Sequence, residues 1–153
     1  NVIRLSNSVY HSTSVASIGV ACHEAGHAVQ YAKGYTPIRV RAAIIPLTNA
    51  GSALSLPLLL AGIILNSQRL ALLGILLFGL STLFQLVTLP VEINASRRAL
   101  AAIQAGSLLY EDEYPMARKT LTAAALTYVA ALAVSLAQLL RLILLFGGGR
   151  RND

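Results

Sequence analysis

Two of the chain's three histidines stand four residues apart, in the run His23-Glu24-Ala25-Gly26-His27. On a helix this spacing puts both imidazoles on one face, within reach of a single metal ion. Glu24 lies beside them, placed to take a proton from a metal-activated water. Zinc suits such a site, because it lowers the pKa of its bound water toward about 7 and so supplies hydroxide at neutral pH. Chance is a poor explanation, since a shuffled chain of this composition would show the pattern about 0.001 times. Reading the pair as ordinary core histidines would also bury Glu24 on a largely apolar helix with no cation near it in sequence.

Two histidines do not complete such a centre, because catalytic zinc usually takes three protein ligands and leaves the fourth position to water. Beyond Glu24 the acidic residues are only Glu92, Glu111, Asp112, Glu113 and the terminal Asp153. The cluster at 111–113 reads as a solvated turn before Pro115, and Asp153 ends a Gly/Arg tail. Glu92 stands alone, directly after the most apolar stretch of the chain, where a single carboxylate is a functional candidate. His11, twelve residues ahead of His23, is the competing third ligand, although its place beside a Ser/Thr cap also suits an exposed polar residue. Cys22 shares a helix face with Ile18, Gly26 and Val29 and reads as a small core residue. Tyr31, Tyr35, Tyr110, Tyr114, Arg97 and Arg98 could stabilise an oxyanion, and Asn94 could support the site; the sequence assigns none of them a role.

The elements that must position these groups belong to a very apolar chain. Of 153 residues, 56% are hydrophobic and 12% charged, about half the charge of a soluble domain. The formal net charge is +6, but the arginines are scattered, as at the ends of membrane spans, rather than gathered into a nucleic-acid-binding stripe. One cysteine allows neither an internal disulfide nor a thiolate metal site. Residues 70–89 hold twenty positions without a charge, enough for a helix to cross about 30 Å of hydrocarbon. Residues 42–65 are also charge-free, but Pro46, Gly51 and Pro57 imply that they cross only as a kinked or partly broken helix. The short link at 66–69 makes these two stretches a helical hairpin. A third stretch, 121–146, is charge-free up to Arg141, which can snorkel to an interface, and a Gly/Arg tail follows it. The expected fold is an all-α multi-pass membrane protein. Its parts are residues 1–41, an interfacial segment with the HExxH helix; 42–89, a transmembrane hairpin; 90–120, an interfacial segment with the third ligand; and 121–153, a transmembrane helix and basic tail. Residues 1–5 suggest a short strand, and the opening at Asn1 suggests that an upstream part precedes it. Ser12, Thr13 and Ser14 offer caps for a helix running to about Lys33, with Gly34 beyond its end.

Parity tests Glu92 independently. Two crossings separate it from His27, so the hairpin returns it to the side where the HExxH helix lies. Ala95, Ser96 and Ala99 share its helical face, and small side chains there would let that helix pack closely at Gly26. Eight Lys and Arg residues fall on the HExxH side and three on the other, with Arg141 ambiguous, which places the site on the cytoplasmic side by the positive-inside rule.

The run SVASIGVACHEAGHAVQ, followed across a hydrophobic hairpin by LPVEINASRRAL, resembles the membrane-bound neutral zinc metallopeptidases of the YugP type. The resemblance covers essentially the whole chain, and members carry a further N-terminal span and linker. It implies His23, His27 and Glu92 as ligands of one Zn2+, Glu24 as general base, and peptide-bond hydrolysis in a bacterial plasma membrane; the site's place at the bilayer surface suggests membrane-associated or unfolded chains as substrates. The arrangement is also similar to HtpX-like and CAAX-prenyl proteases, where HExxH and an ExxxD helix flank a hairpin. Here Ser96 stands where that pattern has Asp, leaving open what orients the histidines. Two alternatives remain: a non-catalytic membrane module with a structural zinc, and a fragment of a transporter or channel in which Glu92 lines an ion path. Nothing suggests a nucleic-acid partner, and the sequence is silent on oligomeric state.

Overall fold

The computed structural model describes residues 2–147 and, among them, holds helices and no strand. Two short helices come first, α1 (Asn7–Tyr10) and α2 (Val15–Ala32). Three long ones follow, α3 (Thr36–Ile64), α4 (Gln68–Ala105) and α5 (Tyr114–Phe146). The expected strand at 1–5 is not formed: residues 2–5 have no regular structure, and Asn1 lies outside the described residues. A strand needs a partner edge, and the helical remainder offers none. Arg150, Arg151 and Asp153 of the basic tail also lie outside the described residues.

At 1.5 Å per residue the three long helices reach about 44, 57 and 50 Å, each longer than a bilayer's hydrocarbon core. Their most apolar windows have mean hydropathies of 1.6, 2.3 and 2.3, and at most 28% of each window is buried. All three are long and apolar enough to cross a membrane, and the leucines they expose, such as Leu56, Leu76 and Leu144, need a non-aqueous solvent. Helix α3 begins at Thr36, ahead of the charge-free stretch, and runs unbroken through Pro46 and Pro57. A proline removes one donor and crowds one carbonyl, and membrane helices absorb such gaps without ending. Helix α4 likewise continues through Pro90, so the apolar span and Glu92 belong to one element.

The helix ends are settled by local chemistry. Ser14 caps α2 by accepting from the Ser17 amide at 3.2 Å. At its other end Gly34 takes φ +66°, the Tyr35 amide reaches Gln30 O at 2.9 Å and the Gly34 amide reaches Tyr31 O at 3.1 Å, a Schellman turn. The same pair of bonds closes α3 around Asn66 and α4 around Ser107, both at positive φ.

The chain divides into two compact units. One comprises Asn1–Val40 and Thr88–Val129. Its core is a stripe on α4, Val91, Ala95, Ala99 and Ile103, none more than 1% exposed, together with Ile38, Ala117 and Leu121. The other comprises Arg41–Val87 and Ala130–Asp153. There the α3–α4 hairpin closes tightly: a Cβ on Gly74 would lie 2.8 Å from Ser55 O, and the Ser55 hydroxyl donates to Gly74 O at 3.1 Å. Hydroxyl pairs Ser52–Ser81 (2.6 Å) and Thr82–Ser135 (2.8 Å), with Gln85 donating to Ser135 at 3.3 Å, join its helices further. Small residues and polar pairs of this kind hold helices together where lipid removes the hydrophobic drive.

Candidate metal centre

All three expected ligands fall in the first unit, two from α2 and one from α4. His23 and His27 project from one face of α2, their rings edge to face with centroids 4.7 Å apart. The α4 stripe makes room for that face. A Cβ at Gly26 would stand 2.7 Å from the backbone oxygen of Ala95, so only glycine admits this approach. The close approach brings Glu92, 3% exposed, between the two rings. Its Oε2 lies 3.1 Å from His23 Nε2 and 3.5 Å from His27 Nε2. One donor atom from each of the three residues lies within 4.8 Å of the others, and no other such group of histidine, cysteine and acidic residues occurs among the described residues.

The donor set fits zinc. Ligands about 2.0–2.1 Å from a tetrahedral zinc stand about 3.4 Å from one another, and 3.1 and 3.5 Å bracket that value. Two imidazoles and one carboxylate also leave a fourth position for water or substrate.

Each imidazole is held from behind through its other nitrogen. His23 Nδ1 lies 3.1 Å from the Ser96 hydroxyl, so the serine at the position of the related Asp pattern does orient a histidine. His27 Nδ1 lies 2.9 Å from Oε1 of Gln30, which is fully buried. Gln30 Nε2 donates to Val91 O at 2.8 Å and to Asn94 Oδ1 at 3.0 Å, and Arg98 Nε donates to the same Asn94 oxygen at 2.8 Å. Glu92 draws the His27 pKa above its ordinary value by hydrogen-bonding the ring; Gln30 and the charges of Glu92 and Glu24 act the same way, against burial. Gln30 escaped sequence reasoning. Its signal was a lone amide three residues after His27, on the helix face that carries His23, Gly26 and His27.

Glu24 lines a cleft of about 230 Å³ with His27, Ala28 and Tyr31 of α2 and with Val2, Ile3 and Arg4. The N-terminal segment, expected as a strand, instead walls this cleft. His11 is exposed at the end of α1, edge-on to Tyr10, and is not among the clustered ligands. Glu111 and Asp112 are exposed in the turn before α5, and Glu113 accepts from the Tyr110 amide. Cys22 is half-buried rather than part of the core, and burial pushes its thiol above the ordinary pKa, which disfavours a nucleophile.

Residues 1–147 match the family described as "Putative neutral zinc metallopeptidase". The chain is also 46% identical over 152 residues to the protein named "Putative membrane protease YugP" of Bacillus subtilis (strain 168), covering 99% of this chain and 68% of that one. No solved structure matches it.

Proposed function

Since the chain belongs to this neutral zinc metallopeptidase family, we propose that it hydrolyses peptide bonds at a membrane surface with zinc held by His23, His27 and Glu92. Zinc there would supply a Lewis acid that acidifies water and polarises a peptide carbonyl. Glu24, on the wall of the adjoining cleft, takes the proton from the attacking water and returns it to the leaving amine. The peptide lies in that cleft against Val2, Ile3 and Ala28, where the Arg4 guanidinium and the Tyr31 hydroxyl are the donors available to the carbonyl oxygen as it gains charge. The excess of basic residues on the HExxH side favours a cytoplasmic active site, and its place beside apolar helices favours membrane-associated or unfolded substrates.

The observation that carries this reading is the convergence of the three ligands beside a cleft that contains Glu24. Zinc content and peptide cleavage of the detergent-purified protein and of Glu24→Gln test it. The expected outcome is about one zinc in both and a fall of about 10²–10⁴ in kcat for the variant, the usual worth of a general base. Cleavage unchanged in Glu24→Gln would remove Glu24 from the mechanism and favour a zinc that only staples helices.

A further inference from the structure

Behind His27 runs a chain of hydrogen bonds whose directions are fixed at both ends. Arg98 Nε can only donate, so the Asn94 atom 2.8 Å from it is the amide oxygen. Val91 O can only accept, so the Gln30 atom 2.8 Å from it is the amide nitrogen. The same Gln30 nitrogen sits 3.0 Å from the Asn94 oxygen, as both assignments require. The oxygen of Gln30 therefore faces His27 Nδ1 at 2.9 Å, and that ring nitrogen must carry its hydrogen. Behind His23 the partner is a serine hydroxyl, which either donates or accepts and imposes no direction.

We infer that Gln30, Asn94 and Arg98 are positioning residues that lock His27 in the tautomer with its Nε2 lone pair turned toward the metal, while His23 is left adjustable. The inference rests on the metal reading proposed above and assigns roles within the same centre. Gln30 supplies the contact, and its full burial excludes water as a substitute acceptor. Asn94, 64 residues away in sequence, and Arg98 behind it keep the Gln30 amide from turning over. An inverted amide would set its NH2 against His27 Nδ1 and favour the wrong tautomer.

The test is zinc affinity, by chelator competition on the full chain in detergent, for wild type, Gln30→Met, Asn94→Leu and Asn94→Asp. Cobalt(II) absorption is recorded as a second readout, and melting of the metal-free proteins as a control. Aspartate keeps the acceptor oxygen that Arg98 and Gln30 use, whereas leucine of similar size removes it. Gln30→Met is expected to bind zinc about 10–100-fold more weakly and Asn94→Leu about tenfold more weakly, with altered cobalt bands. Asn94→Asp is expected to stay within about threefold of wild type and keep the wild-type bands. Equal affinities for Asn94→Leu and Asn94→Asp, or wild-type affinity in Gln30→Met, would overturn the inference and leave the metal centre standing. If Gln30→Met does not fold, the Asn94 pair decides. A wild type that binds no zinc takes down the metal reading and this inference together.

Discussion

Both units bring helices into near contact through glycine and then add polar pairs across them, yet the two sets of polar pairs differ in kind. In the Arg41–Val87 and Ala130–Asp153 unit the pairs are hydroxyl to hydroxyl, as in Ser52–Ser81 and Thr82–Ser135, where either partner can donate. In the other unit the chain from Arg98 to His27 has one direction only, because Arg98 Nε can only donate and Val91 O can only accept. Adhesion between helices asks for polar contact of any sense. A metal ligand asks for a particular lone pair in a particular place. The difference separates groups that join helices from groups that back the proposed metal site, although both are polar.

Changes in the two regions should therefore diverge. The largest effect is expected from Glu92→Ala, which removes one of three ligands: zinc affinity falls by at least about a hundredfold, more than a supporting partner costs, and cleavage drops to background. Zinc titration of the purified variant checks it, and full retention of zinc would move the third ligand elsewhere. Next come the two glycines. Gly26→Val and Gly74→Val each place a Cβ under 3.0 Å from a backbone oxygen across the helix pair. Each should cost about 1–3 kcal/mol in detergent unfolding. Only Gly26→Val should also weaken zinc binding, since it parts α2 from the α4 turn that bears Glu92. Equal loss of zinc in both would erase the distinction between the units. The smallest effect is expected from Ser135→Ala, which loses its bonds to Thr82 and Gln85 and should cost about 0.6 kcal/mol with peptide cleavage unchanged.

Much of the centre was legible because charged and metal-ligating residues are scarce here. The HExxH pattern pairs His23 with His27, and an apolar chain leaves few carboxylates to join them, so the clustering of Glu92 with both could be expected by elimination and by counting apolar stretches. The Ser14 cap, the Gly34 turn and the packing of Gly26 against Ala95 follow from residue type and spacing. Other features could not be read in that way. Gln30 owes its role to Val91 and Asn94, which come beside it only when α2 meets α4. Helix α3 starts at Thr36 because a helix, unlike a hydropathy window, can begin among charged residues, and it passes Pro46 and Pro57 because its neighbours, not its propensity, hold it. The strand suggested by residues 1–5 fails for the opposite reason: local preference had no partner to pair with.

His23 and Glu92 stand 69 positions apart in the chain, with all of α3 and the apolar first part of α4 between them. Translation delivers the histidines and Glu24 early, while Glu92 emerges only after α3 and the apolar first part of α4 have been made. Until then the chain holds only the His23–His27 pair with Glu24 beside it, and α2 has no α4 to close against. The order of residues along the chain thus delays the full cluster until α4 has been made, because no earlier stretch carries all three of its donor groups.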